Sequence, residues 1–453
     1  MIVDPTRVCE LLVGLGDVTV LGVVDEPGGP VRIHVETRGG RPACPGCGGP
    51  VWVKGQRPVE FTDLAAFGRP ARLVWHKRRW SCPATTCGVG SFTEEAAWIA
   101  APRLEMTDRA GRWVTAQVGR LGRTVNELAV ELGCDWHTIN DTVIAYGTEL
   151  VEDPARIGAV EALGLDETLF ARLGKWRTLA WSTSIVDVRR GQLLDVIPGR
   201  SSGGACTWLA GRDQPWLDAI AWATLDLSGP WRLAFTTMLP DAVQVADPFH
   251  LVKLANARLD EVRRRVQNET LGHRGHKDDP LYRSRRMLTR ADERLDDKGR
   301  TRLAGLLEAG DPRGEVRMAW HAKEVVRSIY DHTDPDLALQ FVTRLGHDLQ
   351  DRSCPPEVRQ LGRTIIKWRT QIAAWHQAHV SNGPTEAANN LIKRVKRVAF
   401  GFTSFRNYRI RTLLYAGKPN WQLLATITPT TVSYTHLRAH ETDSYLVCRL
   451  LLE

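Results

Sequence analysis

Apolar and polar positions alternate with period two over Val18–Val24, Val31–Glu36 and Arg72–Trp80, which predicts short strands in the first 100 residues. A helical period follows from Thr124 to Leu132 and again from Asp135, on either side of Gly133, so two helices are expected around a tight turn. From residue 156 to 250 the two periods interleave. Val160–Leu165, Thr178–Val188, Gln192–Ile197, Ile220–Leu225 and Val243–Ala246 read as strands, Trp208–Leu217 and Trp231–Leu239 as helices, and Ser201–Gly204 as a Gly-rich turn. That order predicts an α/β core in which three strands finish on an aspartate, Asp166, Asp226 or Asp247. Residues 251–380 carry helical spacing almost throughout, with Trp368 and Trp375 on one face, and read as an all-α insertion. Ser381–Phe402 then predicts a basic amphipathic helix opened by Pro384. Ala387, Leu391, Val395 and Val398 fall on one face of it, and Glu386, Asn390, Lys393 and Arg397 on another.

Composition narrows the partner. Apolar content of 43% and charged content of 25% are those of a globular chain, while a net charge of +8 favours an anionic partner, nucleic acid first. Cations cluster at Arg263–Arg265, at Arg283, Arg285 and Arg286, and at Lys393–Arg397, where they can track phosphates or serve as solvated faces. No apolar run reaches the roughly 18 residues that span a bilayer, and no signal-peptide pattern opens the chain, so a cytoplasmic protein is expected. The 453 residues suggest two to four units.

Two sets of side chains carry candidate chemistry. Four of the nine cysteines form two close pairs, Cys44 with Cys47 and Cys82 with Cys87, on separate turns. Four thiolates at that spacing suit a tetrahedral Zn²⁺ whose binding energy folds a small module. The carboxylates Asp166, Asp226, Asp247 and Glu386 suit divalent ions about 4 Å apart, clamping the attacking and leaving oxygens of a phosphoryl transfer. Trp136, His137 and Asn140 are the expected groove-facing positions of the second helix after Gly133. The plainer alternative there is a helical hairpin linking two domains.

Gly164-Leu165-Asp166-Glu167-Thr168, the Asp226 strand end, Asp247-Pro248-Phe249-His250 and Ser381-Asn382-Gly383-Pro384-Thr385-Glu386 occur in the order found in DDE transposases of insertion sequences of the ISL-three type, which the chain resembles over about residues 1 to 425. The resemblance implies a ribonuclease-H-like catalytic core with an all-α insertion, preceded by a small zinc-binding module and a helix-turn-helix. It implies Asp166, Asp226 and Glu386 as a catalytic triad using Mg²⁺ or Mn²⁺, and Asp247 with His250 as an accessory pair. Asp247 stays open as the second acid, and Pro248 departs from the basic residue usual after it. Zn²⁺ at the cysteine quartet, DNA contacts from Trp136, His137, Asn140, Lys393, Arg394, Lys396 and Arg397, double-stranded DNA partners (terminal inverted repeats and target DNA), and a homodimer in a bacterial, nucleoid-associated setting follow from the same likeness. The alternatives are a catalytically dead DNA-binding repressor and a structure-selective nuclease.

The expected domains are 1–100 (zinc module), 101–155 (helix-turn-helix), 156–250 (first part of the core), 251–380 (helical insertion) and 381–431 (Glu386 helix and the remainder of the core). Residues 432–453 are expected to be foreign to the protein. Val432–Thr442 and Leu446–Glu453 read as translations of a sequencing-library adapter.

Overall fold

The computed structural model describes residues 5–273 and 275–429, so the adapter-like stretch 432–453 lies outside the described residues. The chain divides into two compact units, one of the described residues up to 156 with those from 393 onward, the other of 157–392.

In the first unit, helix α1 (Pro5–Val13) precedes strands β1 (Val18–Asp25), β2 (Val31–Thr37), β3 (Trp52–Ala66), β4 (Arg69–Ser81) and β5 (Ser91–Thr93). They form one sheet in the order β1-β2-β4-β3, with β5 on β4. The 15-residue β3 has no counterpart among the expected strands, because Gly55, Pro58 and its charges hide the alternation. The sheet tolerates Pro58 because β3 is an edge strand, where a missing N–H faces no partner. The turn into β4 is a two-residue loop, Phe67-Gly68, with φ of 52° and 77°, the mirror-image geometry that suits the twist of a hairpin. Leu73, Trp75, Val35 and Phe61 pack on one face.

Helices α2 (Asp108–Gly119), α3 (Val125–Leu132) and α4 (Trp136–Val151) follow. Thr124 and Glu127 cap the start of α3 reciprocally, Gly133 ends it at φ 62°, and Asp135 caps α4 through the Thr138 N–H, so two helices lie on either side of Gly133. The later helix α16 (Phe405–Ala416) packs on α2 and α4. It therefore belongs with this unit, whereas the domain reading placed 381–431 with the α/β core.

The second unit is built on β6 (Ala162–Leu173), β7 (Thr178–Asp187), β8 (Gln192–Pro198), β9 (Trp222–Leu225) and β10 (Val243–Ala246), in the order β10-β9-β6-β7-β8. The strands β6, β7 and β8 form an antiparallel meander, and β9 and β10 join parallel to β6. Connecting helices are α5 (Ser202–Ala210), α6 (Gln214–Asp218) and α7 (Gly229–Met238). The single helix expected over Trp208–Leu217 is two, because Asp213 caps a new start at the Trp216 N–H with Pro215 in its first turn. The expected turn at Ser201–Gly204 is instead the start of α5, with Ser201 as its cap. β6 runs to Leu173 rather than ending near Leu165, since its far part pairs with β7 alone; Asp166 thus lies within a strand, two residues past the last β9 pair.

Helices α8 (Pro248–Leu271), α9 (Pro280–Leu288), α10 (Asp297–Gly310), α11 (Glu315–Ser328), α12 (Pro335–Asp348), α13 (Pro356–Ala373) and α14 (Trp375–Ala378) fill the expected helical region. They share one apolar core with the sheet, from Leu163 and Leu225 through Leu259 to Ile372, and so are not a separately cored insertion. Arg263 is buried against Asp260 and Gln267, and Arg265 is held by Glu269, Glu315 and Glu357. Arg263 is thus neutralised within α8 and Arg265 joins α8 to α11 and α13, so neither is free to track phosphates; Arg264 alone of the three is largely exposed.

Helix α15 (Gly383–Val398) delivers Glu386. Its buried face is Thr385, Ala388, Asn389, Ile392 and Val395, rotated from the expected one, and Leu391 is 38% exposed. Gly164 makes that seat possible. A Cβ there would lie 2.9 Å from both Thr224 Oγ1 and Val188 Cγ2 and would strike Thr385. Gly164→Ala is expected to cost about 1–3 kcal/mol of stability by overpacking, read as a lowered thermal midpoint, and to displace the start of α15. An unchanged midpoint would mean that Gly164 does not set this approach.

Candidate active site

The register of the parallel strands determines which acids meet. Gly164 pairs with Thr224 and Ala246 with Leu225, so continuing both ladders sets Asp166, Asp226 and Asp247 in one row across β6, β9 and β10. Residues level in parallel strands point to the same face. Onto that row α15 brings Glu386, whose Oε1 is 2.8 Å from His250 Nε2, and His250 in turn lies 4.0 Å from Asp247 Oδ2. One donor atom each of Asp247, His250 and Glu386 falls within 4.8 Å of the others. The approach of α15 is held by hydrogen bonds on both sides: Thr224 Oγ1 donates to Asn382 Oδ1 (3.2 Å), and the Asn382 N–H donates to Asp247 Oδ1 (3.4 Å).

Asp166 is fixed separately. Its Oδ1 accepts the Glu167 N–H (2.8 Å) and its Oδ2 accepts Asn389 Nδ2 (2.7 Å), while Ser184 Oγ donates to Asn389 Oδ1 (2.6 Å) and so sets which way that amide points. Asn389 is 3% exposed and lies one helical turn after Glu386. The sequence reading missed it and Ser184; a polar residue recurring on the buried face of α15 was the available signal. Asn389→Leu is expected to leave α15 seated, to weaken Mn²⁺ binding about tenfold by freeing Asp166, and to be rescued in part by Asn389→Gln. Unchanged metal titration in Asn389→Leu would deny it this positioning role.

Asp226 Oδ1 and Asp247 Oδ2 are buried without a hydrogen-bond partner, an arrangement that costs energy unless a cation meets them. Burial, then the Asp166 charge, pushes Asp226 up to about 6; burial likewise raises Asp166 and Asp247. The folded chain thus binds a proton that the unfolded chain has released between about pH 4 and pH 6, so without divalent ions this group's contribution to stability falls as pH rises through that window. The gap in thermal midpoint between Asp226→Asn and the parent chain is expected to widen across that window and to close when Mg²⁺ is added. A gap independent of pH would overturn this.

In the first unit, Cys44 Sγ lies 3.6 Å from Cys87 Sγ, and Cys47 Sγ 3.6 Å from Cys82 Sγ, with all four sulfurs within 4.8 Å. That is too far for a disulfide, about 2.05 Å, and close to the ~3.8 Å edge of a tetrahedron of thiolates 2.3 Å from zinc. The N–H groups of Cys47 and Gly46 lower the Cys44 thiol to about 6, while burial and the neighbouring thiols push Cys82 up to about 12, so the metal-free quartet favours a thiolate at Cys44 and a thiol at Cys82. The quartet is compatible with zinc.

Residues 163–412 match the family model described as a transposase of the ISL-three type, and residues 40–87 match that of the zinc-finger of transposase IS204/IS1001/IS1096/IS1165. The chain belongs to the ISL-three transposase family. It is 26% identical over 289 residues to the transposase for insertion sequence element IS1557 of Mycobacterium tuberculosis, a match covering 59% of this chain and 63% of that protein. It is 24% identical over 388 residues to the transposase for insertion sequence element IS1001 of Bordetella parapertussis, covering 83% and 89%. A 63-residue stretch is 41% identical to a Lactococcus lactis protein named ATP-dependent protease, too little of either chain (14% and 20%) to bear on function.

Of the positions expected to meet DNA, Trp136 and His137 are exposed on α4, but Asn140 is 4% exposed and bonds to Asp141, because it turns toward the helix's packed side. Lys393, Arg394 and Arg397 are exposed on the second half of α15 and Lys396 is half-buried. No helix among the described residues is long and apolar enough to cross a membrane.

Proposed function

We propose that the chain cleaves DNA at the ends of its insertion sequence and joins those ends to target DNA, with Asp166, Asp226 and Glu386 as the catalytic acids and Asp247 and His250 beside them. The observation that carries this reading is the single row of Asp166, Asp226 and Asp247 across three strands, with Glu386 brought onto it by a separate helix. The strand order, a three-stranded meander extended by two parallel strands, supports a ribonuclease-H-like core. Mg²⁺ or Mn²⁺ at these acids would neutralise charge on the attacking and leaving oxygens, and the orphaned oxygens of Asp226 and Asp247 suit such ions. Asn389 holds Asp166 in one orientation and His250 holds Glu386, so both carboxylates would receive divalent ions without reorganising. The zinc-bound ribbon, the α3–α4 helix-turn-helix and the cations of α15 would recognise terminal inverted repeats, in a homodimer that brings two ends together, in the bacterial cytoplasm at the nucleoid.

The test is a strand-transfer assay with the full chain, DNA carrying the element's own ends, and Mg²⁺ or Mn²⁺, run beside Glu386→Gln. Joined products lost in the variant support the reading. End-specific binding without cleavage would favour the repressor alternative, and cleavage without joining the nuclease.

A further inference from the structure

The β6–β7 hairpin outgrows the sheet that carries the acids. Beyond the Thr168–Ser182 pair only these two strands continue, to Leu173 and Thr178, around the turn Gly174-Lys175-Trp176-Arg177. Every residue from Arg172 to Leu179 is exposed, with Trp176 at 85%, Leu179 at 49% and Leu173 at 39%. A two-stranded tip with both faces in water is marginal by itself, and the large apolar side chains exposed from Arg172 to Leu179 mark a surface that something covers.

The charge says what covers it. Between Glu167 and Asp187 there is no acid, while Arg172, Lys175 and Arg177 crowd the tip. Lys175 Nζ sits 5.7 Å from the Trp176 ring, and Arg200 lies over Trp181 at 4.7 Å, farther down the ribbon. Cations interleaved with open aromatic faces suit a polyanion whose bases also stack. The ribbon leaves the sheet at the end where the acids gather. From Asp166 to Leu173 is about 23 Å at ~3.3 Å per residue, the rise of about seven nucleotides at ~3.4 Å each.

We propose that this hairpin is a DNA-binding element of the transposase, Arg172, Lys175 and Arg177 meeting phosphates and Trp176 stacking on an unpaired base at the element's end. The inference rests on the proposed reaction at the acids, since it takes the DNA bound there as its ligand. Paired bases are already stacked on their neighbours, so a single exposed indole gains most from a base that has left the duplex.

The experiment uses the full chain and a forked duplex of the element's end with 2-aminopurine at the unpaired position, under Ca²⁺ to hold back cleavage. The wild-type chain is expected to quench the probe. Trp176→Ala should lose the quench and bind about tenfold more weakly, Trp176→Phe should keep most of both, and Arg172→Gln with Lys175→Gln and Arg177→Gln should reduce the salt slope of binding by about two to three. All these side chains are exposed, and an unchanged thermal midpoint shows that folding is intact. Wild-type quench, affinity and salt slope in every variant, with Glu386-dependent cleavage of the same DNA retained, would overturn the hairpin assignment and leave the transposase reading standing. Failure of the wild-type chain to bind or cut any end DNA would overturn both. A change in oligomeric state with Trp176→Ala and none in DNA binding would make the tip a contact between copies instead.

Discussion

Asp226→Asn is expected to abolish both cleavage and joining of DNA, by about 10³-fold or more, which corresponds to roughly 4 kcal/mol of lost transition-state stabilisation. Asp247→Asn is expected to cost far less in turnover and to act mainly on the divalent-ion concentration needed for activity. The two aspartates are neighbours in the row, and the geometry separates them. Asp247 already has one oxygen engaged by the Asn382 N–H and shares a 4.8 Å cluster with His250 and Glu386. Asp226 feels Asp166 as the largest charge acting on it and lies outside that cluster, although each of the two aspartates keeps one buried oxygen unpartnered. An acid raised to about 6 by burial and a like charge is one that gains most when a cation arrives. The measurement is a pair of Mn²⁺ titrations of strand transfer. If Asp247→Asn were the dead variant and Asp226→Asn the one rescued by excess Mn²⁺, the assignment would have to be exchanged.

Why the strand ends before Asp226 and Asp247 are legible in the sequence is a matter of period. Parallel strands β9 and β10 are short apolar runs that stop abruptly at Asp226 and Asp247, so their ends stand out. β6 is different, because only its first residues are held between two neighbouring strands; beyond Leu165 buried and half-buried residues mix until Arg172 and Leu173 are exposed, so the continuous apolar run stops early. The same loss of contrast hid β3, an edge strand interrupted by Gly55 and Pro58. On α15 the hydrophobic pattern points to Ala387 and Leu391 as the packed face, yet the helix buries Thr385 close to Gly164, and Asn389, whose partners Asp166 and Ser184 lie on β6 and β7. Buried polar residues that serve a site defeat a reading based on hydrophobicity, and here they are the ones that position it. The cation cluster Arg263–Arg265 misled for the complementary reason. Its carboxylate partners Glu315 and Glu357 are remote in sequence, so its neutralisation is visible only after folding.

Removing the metal from the cysteine quartet is expected to unfold the ribbon that carries it while leaving the acid-bearing unit folded. Apart from the cysteines, the apolar support under the quartet is small, Val51 and Trp80 buried with Phe92 partly so. A core of that size cannot hold the β2–β3 and β4–β5 loops against their conformational entropy, whereas structural zinc contributes about 10–16 kcal/mol of binding energy in comparable small modules. Closeness to the metal also constrains the turns. A Cβ on Gly46 would lie 3.1 Å from Cys87 Sγ, so even Gly46→Ala should loosen the site. Cys82→Ser, or a strong chelator, is therefore expected to remove the one bound zinc per chain, to erase the near-ultraviolet signal of Trp80, and to abolish end-specific DNA binding. Calorimetry should show a separate transition, belonging to 157–392, that does not move. Because the ribbon is proposed to read DNA and not to cut it, the acid-bearing unit of Cys82→Ser should still bind Mn²⁺ with wild-type affinity. Zinc-free chain that kept protected thiols and end-specific binding would show that the four sulfurs are held by packing alone.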